Sequence, residues 1–150
     1  MSKLKIGDKA PQFSVNDQDG NMINLSDYEG KKVVLFFYPK ASTPGCTAEA
    51  CNLRDNWEHF KAQGYQILGA SADSEKRQIN FKEKYDLPFP LLADEEKEVI
   101  NAYGVWGPKK FMGKEYDGIN RTTFVIDEKG MIEDIIEKVK TKDHTAQILK

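Results

Sequence analysis

The stretch KKVVLFFYP, from Lys31 to Pro39, decides the fold of this 150-residue chain. Its apolar, β-branched and aromatic residues are typical of a strand that is buried on both faces, and the proline ends that strand. A helical segment follows, and YQILGASAD, from Tyr65 to Asp73, is then a second run of the same kind. Strand, helix and strand within about forty residues predict a right-handed parallel βαβ unit.

Two further segments predict antiparallel hairpins. The first, QFSVNDQDGNMINL at residues 12–25, has a short strand on each side of Asp19 and Gly20. The second, RTTFVIDEKGMIEDIIEKV at residues 121–139, turns between Asp127 and Gly130. The sequence therefore predicts a parallel βαβ half joined to an antiparallel hairpin half, with helices between them.

The remaining segments predict helices. These are SEKRQINFKEKYDL at residues 74–87, the end of PFPLLADEEKEVINAYG at residues 88–104 after a short strand, and DHTAQILK at residues 143–150, capped by Asp143. We expect one domain over residues 1–150, of the α/β class with a thioredoxin-like fold. Its central mixed β-sheet is flanked by helices and preceded by an N-terminal β-hairpin.

The composition is that of a globular protein, with 39% hydrophobic and 31% charged residues. The net charge of −2, from 22 basic and 24 acidic residues, does not suggest a nucleic-acid or membrane surface. The first residues lack the apolar region of a secretory signal, and no window approaches the roughly 20 apolar residues of a membrane span. We therefore expect a cytoplasmic protein, in which thiols stay reduced and a close cysteine pair is more often catalytic or metal-binding than structural.

Both cysteines lie in PKASTPGCTAEAC, from Pro39 to Cys51, five residues apart. Thr43 and Pro44 predict a helix start, which places Cys46 in the first turn, where free backbone N–H groups and the helix dipole favour an anion. Cys46 begins an apolar stripe that faces the core, whereas Cys51 is rotated by about 140° toward polar residues. The stripe continues through Ala50, Leu53, Trp57 and Phe60.

The residues alone leave the role of these sulfurs open. Cys46 is either a small buried hydrophobe or a reactive thiol. A metal site is disfavoured because two cysteines supply half of a tetrahedral site, and we expect His59 and His144 at the surface rather than as the missing ligands. At pH 7, lowering a thiol pKa from ~8.5 to ~6 raises the thiolate fraction, but the nucleophilicity of the thiolate falls at the same time. The reaction is then only about two- to threefold faster. A reactive site therefore also needs fixed donors, such as an arginine and a hydroxyl.

The sequence resembles the peroxiredoxins, and within them the peroxiredoxin Q group, also called bacterioferritin comigratory protein. The family motif P-x-x-x-T-x-x-C is present as Pro39, Thr43 and Cys46, within YPKASTPGCTAEACNLRD. The resemblance covers essentially the whole chain and continues through KIGDKAPQF, LPFPLLAD, YGVWG and GINRTTFVID.

The resemblance implies a role for each motif residue. Cys46 corresponds to the peroxidatic cysteine, which attacks the peroxide and becomes a sulfenic acid, and Cys51 to the resolving cysteine, which forms a disulfide with it. Thr43 corresponds to the residue whose hydroxyl meets the substrate oxygen, and Arg121 to the arginine that stabilises the thiolate and the peroxide. Pro39 shields the pocket. Glu49 matches a position that is commonly acidic, to which we assign no chemistry.

The implied activity is reduction of hydrogen peroxide and organic hydroperoxides, without a metal or organic cofactor. Thioredoxin or a similar dithiol is the expected reductant. We expect a monomer, because a resolving cysteine in the same helix removes the need for a partner subunit. The alternatives are a thiol–disulfide oxidoreductase, which would favour a C-x-x-C spacing, and a redox-sensing thiol protein, which would react once and stop.

Overall fold

The apolar run that begins at Lys32 is the central strand of a five-stranded sheet in the computed structural model, which describes residues 4–111 and 113–149. Nine strands and five α-helices are seen among these residues. In chain order they are β1 (Ser14–Asn16), β2 (Met22–Asn24), β3 (Lys32–Phe37), α1 (Pro44–Asp55), α2 (Trp57–Ala62), β4 (Tyr65–Ser71), α3 (Glu75–Tyr85), β5 (Leu91–Ala93), α4 (Glu98–Ala102), β6 (Trp106–Phe111), β7 (Lys114–Ile119), β8 (Thr122–Ile126), β9 (Ile132–Ile136) and α5 (His144–Ile148).

The central sheet is mixed, as predicted. Its strand order is β5-β4-β3-β8-β9. The βαβ unit places β3 parallel to β4, and β5 extends the sheet in the same direction. On the other side, β8 runs antiparallel to β3, and β9 runs antiparallel to β8. The predicted N-terminal hairpin is also present, as the antiparallel pair β1 and β2.

The core has two halves because successive side chains of a strand point to opposite faces of the sheet. Val33, Leu35 and Phe37 of β3 belong to the half that also contains Val99 and Ile100 of α4. Val34 and Phe36 belong to the half that packs against helices on the other face. That second half contains the helical residues Cys46, Ala50, Leu53, Phe60, Phe81 and Ile148. The first cysteine is therefore part of the core, as its position on the apolar stripe predicts.

The predicted helix after β3 is divided into α1 and α2 at Asn56. The side-chain Nδ2 of Asn56 donates to the carbonyl of Asn52 at 2.8 Å, whereas its backbone N–H bonds to Leu53. A side-chain amide that takes the carbonyl four residues back competes with the regular helix ladder. The helices are short, and none in the described part of the chain has the length and apolar character needed to cross a membrane.

The pair of strands β6 and β7 was not predicted from the sequence. They form a separate antiparallel hairpin in which Trp106 is opposite Ile119. Its sequence lacks the continuous apolar run of β3, and much of β7 is exposed. The hairpin leads directly into β8, so it brings the chain to the end of the sheet at which β8 begins, where Arg121 lies.

The C-terminal helix α5 is held on α1 by the side chain of Asn52. Its amide Nδ2 donates to the carbonyl of Lys142 at 3.1 Å, and its Oδ1 accepts the backbone N–H of Thr145 at 2.8 Å. Asp143 occupies the position before α5, as predicted, but its carboxylate makes no capping hydrogen bond there. Oδ1 of Asn52 takes this place, since it accepts the N–H of Thr145, which has no partner within the first turn of the helix.

We expect Asn52→Ala to loosen α5. Two backbone groups lose their partners, and each unsatisfied polar group costs about 1–3 kcal/mol when it is shielded from water. Hydrogen exchange should accelerate at the amides of Thr145 to Ile148, with little change in the central strands. Asn101→Ala, in the exposed part of α4, is the matched control. Equal exchange of α5 in both variants would contradict this role of Asn52.

Candidate active site

The loop between β3 and α1 is fastened to the end of β4 by a buried carboxylate. Oδ2 of Asp73 accepts the backbone N–H of Ala41 at 2.7 Å and the hydroxyl of Ser71 at 2.6 Å. Within the loop, Ser42 adopts a left-handed conformation with φ of 65°, which is uncommon outside glycine. The loop that precedes Cys46 therefore has a fixed shape, and partly buried Pro39 lies at its start.

Cys46 lies in the first turn of α1, which begins at Pro44 as predicted. Its side chain is only 1% exposed, and both cysteines are free thiols. Thr43 occupies the N-cap position, but its hydroxyl does not cap the helix and instead donates to the carbonyl of Lys40 at 2.8 Å. The hydroxyl proton of Thr43 is engaged in this hydrogen bond, so the lone pairs of Oγ1 remain available to accept a hydrogen bond from a ligand. The N–H groups of the first turn likewise have no carbonyl partner within the helix.

Arg121 joins the start of β8 to the first turns of α1. Its Nη1 lies 3.4 Å from Sγ of Cys46 and 2.9 Å from Oε1 of Glu49. The guanidinium also passes close to Gly45, where an added Cβ would come within 3.1 Å of Nη2. Sequence reasoning did not assign this role to Gly45, although it directly precedes the cysteine. A side chain there would require the guanidinium to shift by a few tenths of an ångström.

Glu49 and His144 form the inner side of the site, and both are fully buried. Burial raises the pKa of Glu49 to about 7, although Arg121 favours its ionised form. The surface position expected for His144 is wrong, whereas His59 is exposed as expected. His144 lies inside because Asn52 and Ile148 hold α5 against α1. A five-residue helix carries too little periodicity to reveal its buried face from sequence.

Cys51 lies in the same unbroken helix as Cys46. Its thiol is partly exposed, and burial raises its pKa despite the nearby Arg54. Residues five apart in an intact α-helix have Cα atoms about 8.7 Å apart and diverging side chains. A disulfide requires Cα atoms within about 7 Å. The two sulfurs are therefore not placed to bond in this conformation.

The site offers a buried sulfur beside a fixed cation and a helix N-terminus. This arrangement can stabilise negative charge that develops next to the sulfur. In the described part of the chain, no three His, Cys, Asp or Glu side chains converge as metal ligands do. The chemistry that these residues can perform is nucleophilic attack by sulfur on an electrophilic atom.

A profile of the AhpC/TSA family matches residues 6–135. Peroxiredoxin Bcp of Escherichia coli is 50% identical over 149 residues, which cover 99% of this chain and 96% of that protein. The chain belongs to the peroxiredoxins, in the peroxiredoxin Q group. The resemblance inferred from the sequence motifs is thus confirmed, and the chain is a thiol-dependent peroxidase.

Two solved structures of peroxiredoxins have the same fold. A cysteine-to-serine mutant of Xylella fastidiosa peroxiredoxin Q aligns with a TM-score of 0.92 at 29% identity, over 99% of this chain and 95% of that chain. The bacterioferritin comigratory protein of Xanthomonas campestris, studied for its alkyl peroxide reduction activity, aligns with a TM-score of 0.86 at 34% identity, over 91% and 87%. The predicted thioredoxin-like fold is confirmed for this peroxiredoxin.

Arg121→Lys tests whether the guanidinium of Arg121 is needed for the reaction of Cys46 with peroxide. Lysine keeps the charge but loses the planar set of donors that reaches both Sγ and Oε1. We expect the second-order rate constant for the first reaction with hydrogen peroxide, measured by stopped flow, to fall by about 10²-fold or more. Arg54→Lys, in the last turn of α1, is the matched control and should react normally. An Arg121→Lys variant within threefold of the wild type would contradict this assignment.

Proposed function

We propose that Cys46 is the peroxidatic cysteine of this peroxiredoxin. The observation that carries the proposal is the 3.4 Å contact between its Sγ and Nη1 of Arg121 in the first turn of α1. The Cys46 thiolate attacks the terminal oxygen of the peroxide, the O–O bond breaks, and the other oxygen leaves with a proton as water or alcohol. Sulfur is oxidised by two electrons and becomes a sulfenic acid.

Three residues complete the pocket in this proposal. Arg121 stabilises the thiolate and the negative charge that develops on the leaving oxygen. Thr43 accepts a hydrogen bond from the peroxide O–H, since its own proton is given to the carbonyl of Lys40. Pro39, at the start of the loop, shields the sulfur from water. Hydrogen peroxide and organic hydroperoxides are the proposed substrates, in keeping with the alkyl peroxide reduction by the Xanthomonas relative.

Cys51 is proposed as the resolving cysteine. Its thiolate attacks the sulfur of the Cys46 sulfenic acid, and hydroxide leaves and takes a proton to form water. The Cys46–Cys51 disulfide is then reduced by two electrons and two protons from thioredoxin or a similar dithiol. We propose that the protein acts as a monomer, because both sulfurs belong to one helix. We also propose that it acts in the cytoplasm, independent of membranes and nucleic acids.

The assignment of the two cysteines is tested with serine variants. Cys46→Ser should abolish peroxide reduction and form no sulfenic acid. Cys51→Ser should consume one equivalent of peroxide and then stop with a Cys46 sulfenic acid that a dimedone probe captures. Mass spectrometry after one equivalent of peroxide measures both products. Equal loss of this first reaction in the two variants would overturn the assignment.

A turnover assay separates this function from redox sensing. NADPH oxidation is followed with hydrogen peroxide, thioredoxin and thioredoxin reductase. We expect many equivalents of NADPH to be consumed per protein molecule, and none with Cys46→Ser. A single equivalent followed by arrest would identify a sensor rather than an enzyme.

The proposed disulfide requires α1 to open. Because the cysteine Cα atoms are about 8.7 Å apart in the intact helix, the first turns must unwind before the bond forms. We expect the oxidised protein to lose helical circular dichroism and to exchange the amides from Cys46 to Arg54 faster than the reduced protein.

Peroxide-treated Cys51→Ser, which cannot form the bond, is the control and should keep its helical signal. The oxidised wild type should lose two hydrogens in mass and remain a single chain on a non-reducing gel. A covalent dimer as the main product, or unchanged exchange across the segment, would contradict the opening of α1.

A further inference from the structure

A buried pair of titratable groups, Glu49 and His144, adjoins Arg121 about one turn along α1 from Cys46. Oε2 of Glu49 is 3.4 Å from Nε2 of His144, and both side chains are completely buried. The other oxygen of Glu49, Oε1, accepts from Arg121, whereas Oε2 accepts no hydrogen bond from the described residues. A buried carboxylate oxygen without a donor is costly, so this contact requires an explanation.

The hydrogen bonds of Gln147 determine which nitrogen of His144 carries a fixed proton. The side-chain oxygen of Gln147 accepts the N–H of Lys140 at 2.8 Å, and its nitrogen donates to the carbonyl of Lys138 at 2.9 Å. The amide is therefore oriented, and Nδ1 of His144, 2.8 Å from the same oxygen, must be the donor. Only Nε2, which faces Glu49, gains or loses a proton.

This tautomer restricts the charge states of the pair. In neutral His144, Nε2 is an acceptor with one lone pair, and the hydroxyl of Thr123, 2.7 Å away, can donate a hydrogen bond to it. An ionised Glu49 would then direct a charged oxygen at a lone pair, which is repulsive. One proton removes the conflict, because it sits either on Oε2 and points to Nε2 or on Nε2 and points to Oε2. With that proton the pair is neutral, and without it the pair carries one negative charge.

We propose that Glu49 and His144 share one proton, and that its loss lowers the reactivity of Cys46 by giving Arg121 a second negative partner. His144 is thus a positioning residue that acts through Glu49 and Arg121 and does not touch the peroxide. When the pair is neutral, the guanidinium still donates to Oε1 of Glu49, but only the thiolate and the substrate carry net negative charge beside it. When the pair is negative, the guanidinium is shared between the carboxylate and the thiolate.

The surroundings of Glu49 and His144 place the loss of their shared proton near neutral pH. Burial raises the pKa of Glu49 to about 7, and burial followed by repulsion from Arg121 lowers the pKa of His144. The charged or titratable neighbours are Arg121, at the start of β8, and the Cys46 thiol, one turn earlier on α1. Strand β8 and helix α5 contribute the neutral Thr123 and Gln147. The pair therefore becomes negative as the pH rises through about 7.

The first arm of the test compares Glu49→Gln with the wild type. Glutamine keeps an oxygen for Nη1 of Arg121 and cannot ionise. The rate constant for the first reaction with hydrogen peroxide is measured from pH 5.5 to about 8.5, and the ratio of variant to wild type is plotted. We expect this ratio to rise by about threefold or more from the acid end to the alkaline end, whatever its value at the acid end. A ratio that does not change with pH would overturn the coupling to Cys46.

The second arm detects the proton directly and needs no peroxide. Burial raises the pKa of Glu49 and lowers the pKa of His144, so we expect the shared proton mainly on Oε2. Difference infrared spectra of the reduced protein should therefore contain the carbonyl stretch of a protonated carboxyl, which Glu49→Gln removes. His144→Asn keeps a donor for Gln147 but lacks the second proton site, so the band should disappear at a pH lower by ~0.5 or more. His144→Gln, which places a fixed donor toward Oε2, should shift the midpoint in the same direction.

Thr145→Ala is the matched control, since it weakens the contact of α5 with Asn52 without touching the pair. Its midpoint should equal that of the wild type. Absence over this pH range of both this band and the ring bands of a protonated His144 would overturn the shared proton. Equal midpoints in the His144 variants and Thr145→Ala would overturn it as well. The rate arm rests on the proposed role of Cys46, whereas the infrared arm does not, so failure of the two proposals can be distinguished.

Discussion

The contact of the Arg121 guanidinium with Cys46 and Glu49 is the interaction on which the site depends. It joins a helix to a strand that is distant in sequence, and the sheet makes this possible. Thr122, the first residue of β8, is opposite Phe37, the last residue of β3. The chain leaves β3 for the loop and α1 at the same end of the sheet at which it enters β8. The register of two antiparallel strands therefore sets the distance between sulfur and cation.

This contact also explains why so many polar groups are buried around the sulfur. A partly buried cation needs partners with fixed positions, and Glu49 provides one from within α1. Asp73 fastens the preceding loop through the N–H of Ala41, so the cysteine and the arginine are positioned independently. The guanidinium held in this way is a preorganised donor, and it acts on developing charge without the reorganisation that water would require. The polar groups thus replace solvent around the reacting atoms.

Much of this arrangement could be predicted from sequence, for physical reasons. A long apolar run such as that of β3 has few alternatives to a buried strand, and Thr43-Pro44 is a strong helix start. Arg121 was found only through the family resemblance, because a single arginine at a strand start carries no local signal. Asn56 divides the predicted helix through one side-chain bond. The burial of His144 depends on the docking of α5, a long-range contact that local patterns do not contain.

The position of both cysteines on α1 has a kinetic consequence. In the proposed mechanism the second thiol belongs to the same chain, so closure of the disulfide is a unimolecular step at a fixed effective concentration. A second peroxide molecule competes for the sulfenic acid in a bimolecular step. Dilution of the protein leaves this competition unchanged, whereas a rise in peroxide shifts it. The stability of the first turns of α1 therefore sets the peroxide concentration above which irreversible oxidation overtakes repair.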